Sequence, residues 1–416
     1  MFGIRAARLF DGEGSSLVRH PLVLIDRGRI TAVESSAVTP PAVADVVDLG
    51  DVTLLPGLID THLHLGFDAG PDPVQAMISA DDATLLDGMQ RAAARALAAG
   101  VTTVRDLGDR SFLAIALRER LRAGGERGPE ILSSGPPLTI SGGHCDFMGG
   151  VVRGQGEIRR TVREHVERGV DVIKVMASGG LLTGGSDPLQ PQFSCEEPAA
   201  AVDEAHRGGR TVTVHAHSAK AIEYAVEAGV DGIEHASFFV DGGVDADPRL
   251  VDLIASRGIA VCPCPPPPLE SAPVALPPTI AALLGEMIEV RQHLYRAGVR
   301  IVMGTDAGIS LGHPHDLLPY AVESLGSLLG ASNIDALRAA TSVAADVCGV
   351  GDRKGRLRAG MDADIVAVAG NPIADVTAVR DVRAVVRAGD LIGPIPPRST
   401  SNKVPPSPAT GPPPSS

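Results

Sequence analysis

Aromatic residues are scarce in this chain, 3% of 416 residues, with no Trp and three Tyr. A stacking platform for bases or sugars is therefore not expected. Positive charge is also short: 37 Lys and Arg stand against 50 Asp and Glu, a formal net charge of −13. Neutralising phosphates needs a basic surface, so nucleic acid is not an expected partner. The five Cys are odd in number and scattered, which excludes a disulfide framework. Cys262 and Cys264 have one residue between them, not the C-x-x-C spacing of redox or zinc-ribbon sites, and read as small core residues of a strand. No apolar run reaches the roughly 18 residues that a membrane span needs. The opening residues Met1–Arg5 carry no signal-peptide pattern, so a soluble cytoplasmic protein is expected.

Glycine and proline, by contrast, are plentiful at 48 and 33 residues. Apolar residues at 44% and charged residues at 21% are globular values. Much of the glycine falls in one recurring pattern: a helical run ends at Gly and a β-branched strand follows. Gly100, Gly169, Gly209, Gly229, Gly258 and Gly298 each stand at such a junction. Glycine just past a helix takes the left-handed conformation without a Cβ penalty. The strands that follow are apolar on both faces, as parallel strands covered by helices must be. Strand centres fall near residues 58, 104, 132, 174, 214, 234, 261 and 302. Eight such units over residues 57–349 predict an α/β fold, a (β/α)8 TIM barrel. An open doubly wound sheet would need a Gly-rich phosphate turn after the first strand, and none is there.

The flanks differ. Leu22–Ile25 and Ile30–Val33 are joined by Asp26-Arg27-Gly28-Arg29, a hairpin signal. Residues 363–368 and 382–390 also alternate as strands. Residues 1–56 and 350–392 are therefore expected to build one small β-sandwich domain from both chain ends. Residues 393–416 are Pro/Ser-rich and expected to be disordered.

Against this strand map the polar residues are not random. His62 and His64 follow the first strand and, two apart, face one side. Lys174 lies inside the apolar fourth strand, where lysine is rarely buried without a partner. His215 ends strand five, His235 strand six and Asp306 strand eight. In a barrel these six residues converge on the C-terminal mouth, and four His with an Asp are divalent-metal ligands.

The run Leu55-Pro56-Gly57-Leu58-Ile59-Asp60-Thr61-His62-Leu63-His64, followed by Lys174, His215, His235 and Asp306, resembles the metal-dependent amidohydrolase superfamily in its binuclear members. The resemblance spans roughly residues 1–392. It implies two divalent metal ions, of the zinc type, bridged by a carboxylated Lys174. His62 and His64 would hold the more buried ion with Asp306, and His215 and His235 the other. It further implies attack on an amide carbonyl by a hydroxide bridging the metals, with Asp306 as general acid and base. The expected partner is a small-molecule amide substrate. Oligomeric state is left open, dimers or larger assemblies being common in the branch.

The loop Gly142-Gly143-His144 resembles the prolidase-like and imidazolonepropionase-like branch, which makes His144 a candidate oxyanion donor. Imidazolonepropionases use one metal and lack the lysine, so Lys174 favours the dipeptidase-like side. Cyclic amide or lactam opening is the alternative reaction. A Tyr that binds the substrate carboxylate in some prolidase-like relatives is replaced here by His217, which counts against proline-dipeptide specificity. Arg153 is the nearest basic residue after the His144 loop and a candidate carboxylate partner, and His313 is a candidate pocket residue. The loop Ser178–Ser186 could hold a carboxylate with its backbone amides, and the Pro-rich run from Pro263 could wall the pocket. Glu234 precedes His235 and should point away from it, which counts against deamination.

Overall fold

The structure is a computed structural model that describes residues 2–35, 45–265 and 278–394. The eight expected strands are all present: β1 (Leu58–Leu63), β2 (Val101–Asp106), β3 (Glu130–Ser133), β4 (Val172–Met176), β5 (Thr211–Ser218), β6 (Gly232–Val240), β7 (Ala260–Cys262) and β8 (Arg300–Ile301). A helix follows each, among them Asp82–Ala98 after β1 and Pro278–Arg296 after β7. The six junction glycines all adopt positive φ, +88° at Gly100 and +67° at Gly258 among them, which is why glycine recurs there.

Every neighbouring pair of these strands is parallel. They are ordered β3-β2-β1 in one sheet and β4-β5-β6-β7-β8 in a second. Hydrogen bonds tie the two sheets at both ends. Thr61 N donates to the Met303 carbonyl at 2.9 Å, and Leu138 N to the Lys174 carbonyl at 2.8 Å. The strands are apolar on both faces because helices cover them: Val212, Val214, Ile233 and Val261 pack with Ala221, Ile222 and Ile254 from the helices.

The chain ends form two sheets. Phe2–Arg5, Pro21–Asp26, Arg29–Ser35 and Asp45–Asp48 make a four-stranded sheet. Val52–Pro56 pairs antiparallel with Ile365–Ala369, so the six-stranded sheet draws on both ends of the chain. The hairpin at Arg27-Gly28 is as expected, with both residues at positive φ (47° and 77°), the signature of a tight I′ turn. One apolar cluster serves both sheets, with Ile4 and Val23 from the first and Leu54, Ile365 and Val386 from the second. The last strand runs Asp390–Pro394, two residues beyond the expected boundary at 392. The Pro-rich tail past it, and most of the Pro-rich run after Pro265, lie outside the described residues. No helix among the described residues is long and apolar enough to cross a membrane.

Candidate active site

The ends of the strands open on a cavity of about 340 Å³. His62, His64, His144, Lys174, His215, His217, His235, Asp306 and His313 all line it. Of the ten expected site residues only Arg153 is elsewhere. It is exposed at the N-terminus of the helix Gly154–Glu167, where its backbone N–H donates to Glu157. Closeness in sequence to His144 did not translate into closeness in space.

Hydrogen bonds fix which ring nitrogens face the centre. His62 Nδ1 lies 3.0 Å from Glu234 Oε2, and His64 Nδ1 lies 3.1 Å from the Gly108 carbonyl. A carboxylate and a carbonyl only accept, so both Nδ1 atoms carry a proton and both Nε2 atoms are the ones turned to the centre. Those Nε2 atoms stand 3.4 and 3.3 Å from Asp306 Oδ1. His215 is turned the other way: its Nε2 donates to the Gly179 carbonyl at 3.2 Å, which leaves Nδ1 as the available donor atom. The His215 and His235 rings are 4.6 Å apart, and His217 stacks on His235 at 4.7 Å.

Among the described residues three groups of donor atoms each lie within 4.8 Å mutually: His62, His64 and Asp306; His215, His217 and His235; and, behind the first, His62 with Glu234, Cys262 and Cys264. The second contains His217, which the sequence reading had placed with the substrate. Lys174 is 1% exposed and its Nζ has no hydrogen-bond partner among the described residues. An orphaned buried amine beside two imidazole groups fits a site built for divalent cations, as does the mixed N/O donor set.

The charges of the site are strongly perturbed. Burial and Lys174 push the His62 imidazole down, but Asp306 and Glu234 outweigh them and raise it to about 9. Burial opposes the Asp306 carboxylate, yet His62 and His64 hold it well below the usual carboxylate range. Burial lowers the Lys174 ammonium, against the pull of Glu234 and Asp306. Burial, with the neighbouring His217, lowers His144 to about 3, so its ring is neutral at pH 7. The buried Cys145 thiol is pushed up to about 12, which excludes it as a thiolate nucleophile.

Backbone strain concentrates here too. His235, Ala236 and Asp306 have φ of 68°, 47° and 55°, a conformation costly for any residue with a Cβ. The strain bears on one expectation. Glu234 does not simply point away from its neighbour; its carboxylate reaches His62, the ring that His235 approaches at 5.3 Å. Positive φ breaks strict strand alternation, so both residues face the interior. Glu234 also accepts from Arg105 Nη2 at 3.1 Å and Thr213 Oγ1 at 2.6 Å. A lone acid in an apolar strand is the same signal that singled out Lys174.

Three further readings change. In the Ser178–Ser186 loop the amides of Ser178, Gly179, Gly180 and Ser186 are engaged, Gly179 N with the Gln190 carbonyl and Gly180 N with Ser186 Oγ. The loop contributes Leu181 and Leu182 to the cavity. Its Gly180 lies so close to the His144 ring that a Cβ would meet it at 2.5 Å. Cys262 is buried as expected, but Cys264 lines the cavity with Sγ 3.2 Å from His62 Nδ1. Arg291, on the helix Pro278–Arg296, is the arginine of the lining and had no sequence signal beyond its helical pattern.

The chain matches the amidohydrolase family over residues 53–392. It is 30% identical to ochratoxinase of Aspergillus niger, over 92% of this chain and 84% of that protein. It is 26% identical to an imidazolonepropionase of Paracoccus denitrificans, over 85% of this chain and 89% of that protein. Among solved structures, a Xaa-Pro dipeptidase with methionine bound in the active site superposes with a TM-score of 0.82 at 30% identity, covering 94% of this chain and 99% of that one. The chain belongs to the amidohydrolase family and is a hydrolase acting on carbon–nitrogen bonds.

Proposed function

We propose that the chain is a binuclear metal-dependent amidohydrolase that cleaves the amide bond of a small N-acyl or aminoacyl substrate, dipeptides and Xaa-Pro included. The observation that carries this reading is Lys174, a buried amine without a partner, within electrostatic reach of the imidazoles of both donor groups. In this reading the eight strands close as a (β/α)8 barrel over residues 57–349. Residues 1–56 and 350–392 form a β-sandwich beside it.

His62, His64 and Asp306 would hold one divalent ion, His215 and His235 the other, with a carboxylated Lys174 between them. Zinc suits these donors. When bound, such ions supply an activated water at neutral pH and polarise the scissile carbonyl. The protein's own part follows from the site. Asp306 is ionised, so its carboxylate can take the proton of the attacking water and pass it to the leaving amine. Neutral His144, with an unpartnered ring nitrogen, can donate to the carbonyl oxygen as it gains charge. Glu234 holds the His62 tautomer in place.

The likeness to an imidazolonepropionase supports a second reading, cyclic amide opening. A panel of aminoacyl, N-acyl and cyclic-amide substrates, run on metal-quantified protein, separates the two. The proposal expects about two ions per chain and turnover of linear amides. One ion per chain with a free lysine, or turnover of cyclic amides alone, would overturn it.

A further inference from the structure

Two arginines are buried among the described residues, Arg105 and Arg291. Arg105 is paired with Glu234 and donates to the Thr61 carbonyl. Arg291 is 5% exposed, yet among the described residues no carboxylate lies within ion-pair distance of it. Its Nη2 donates to the Pro263 carbonyl at 3.0 Å, and its Nε has no partner. Burial pushes the guanidinium below its ordinary range, offset only by the thiols of Cys264 and Cys262. A guanidinium does not give up its proton near neutral pH, so the charge stays and is uncompensated among the described residues. A buried cation without a counter-charge is costly, and such a group persists where something else supplies the anion.

The position of Arg291 says where that anion comes from. Leu284, Met287 and Arg291 are three and four residues apart on one helix, share a face, and all line the catalytic cavity. Asp306, the carboxylate of that cavity, is already engaged by His62 and His64. Arg291 shares the lining of that cavity with His215, His217 and His235. Besides the imidazoles, the cavity walls carry Leu182, Met287, Ile309 and Phe239.

We propose that Arg291 is the specificity-determining cation of the cavity: within the N-acyl and aminoacyl class already proposed, it receives the substrate carboxylate and sets the preference for the free acid over its neutral amide. The proposal rests on the amide-hydrolase reading and narrows it. A guanidinium fork takes a carboxylate with two parallel hydrogen bonds, which a carboxamide or a neutral cyclic amide cannot reproduce.

The experiment uses full-length, metal-loaded protein, as wild type, Arg291→Met and Arg291→Lys. Binding of N-acetyl-L-phenylalanine and of its carboxamide is measured by calorimetry. Hydrolysis of N-acyl-phenylalanine and of N-acyl-phenylalaninamide is followed in parallel. Wild type is expected to favour the acid over the amide by at least about 30-fold, the scale of losing one partner of a buried charge pair. Arg291→Met should treat the two alike, and Arg291→Lys should recover part of the preference. The melting temperature of unliganded Arg291→Met should equal or exceed that of wild type, because the methionine leaves no charge buried. An Arg291→Met enzyme that keeps the acid preference, a wild type with none, or a variant that melts several degrees lower would overturn the proposal. If wild type binds the acid through Arg291 but hydrolyses no amide, the hydrolase reading falls and the anion site stands. If amides are hydrolysed without regard to Arg291, the anion site alone falls.

Discussion

Replacing Lys174 with methionine should stabilise the metal-free protein and destroy the enzyme. The side chain is fully enclosed and its Nζ makes no hydrogen bond among the described residues. A buried polar group left unsatisfied costs about 1–3 kcal/mol, and methionine removes that cost at similar volume. At about 2.1 cal/mol/K per residue, unfolding this chain of 416 residues carries roughly 0.9 kcal/mol/K of entropy. The gain is therefore a rise in melting temperature of only about 1–3 °C in chelated protein, within reach of differential scanning calorimetry. With metal restored the order should reverse, because the variant has lost the group proposed to join the two ions. Turnover should fall by more than about 100-fold, beyond what loss of an outer contact to a metal ligand produces. Lys174→Ala should regain part of its activity with a short carboxylic acid. A chelated Lys174→Met that melts below wild type by the same margin would mean that the amine has a native partner, and the argument from its isolation would fail.

Other outcomes follow from neighbouring groups. Asp306→Asn should lower kcat by about 10²–10⁴ with KM little changed, since the amide cannot take up the proton; an unchanged kcat in steady-state assays would remove Asp306 from proton transfer. His144→Asn should cost about 10²–10³ in kcat if the ring serves the oxyanion; a change confined to KM would reassign it to substrate binding. Burial opposes the Glu130 carboxylate, but Arg353 and Lys354 outweigh it and hold it at about 2 against an ordinary 4.5. Because the folded value is depressed, this contribution is complete above pH 4.5 and is lost as pH falls towards 2. It amounts to about 3 kcal/mol, and acid titration of stability should be shallower over that window in Glu130→Gln.

Much of this was legible in the sequence for a simple reason. A helix that ends before a parallel strand needs a residue at positive φ, and glycine at Gly100, Gly169, Gly209, Gly229, Gly258 and Gly298 marks each junction. With strand ends located, His62, His64, Lys174, His215, His235 and Asp306 fell at one end of the sheet without further assumption. What was illegible depended on contacts between distant segments. Strand periodicity puts Glu234 and His235 on opposite faces, and the positive φ at His235 and Ala236, which breaks that alternation, has no signal in the sequence. Which nitrogen of each imidazole is free is decided by Gly108, Gly179 and Glu234, none of them adjacent in sequence to the ring it orients. Arg291 and Arg153 could not be ranked from sequence, because the choice turns on which helix faces the cavity.

The groups that make the site reactive are the ones that make it costly. Lys174 Nζ, His144 Nδ1 and Arg291 Nε are buried and unpartnered, and all three residues line one cavity. His235 and Asp306, which line it too, hold strained backbone conformations. None of these costs is relieved by protein contacts among the described residues, so relief has to come from what enters: cations for the imidazoles and Asp306, an anion for Arg291. The unliganded protein should then be its least stable form. Each occupant present at about 100 times its dissociation constant should add close to 2.7 kcal/mol, and metal and a carboxylate ligand together should add more than either alone. If chelation left the melting temperature unchanged, these orphaned atoms would have partners that the geometry does not contain, and the functional reading would lose its physical basis.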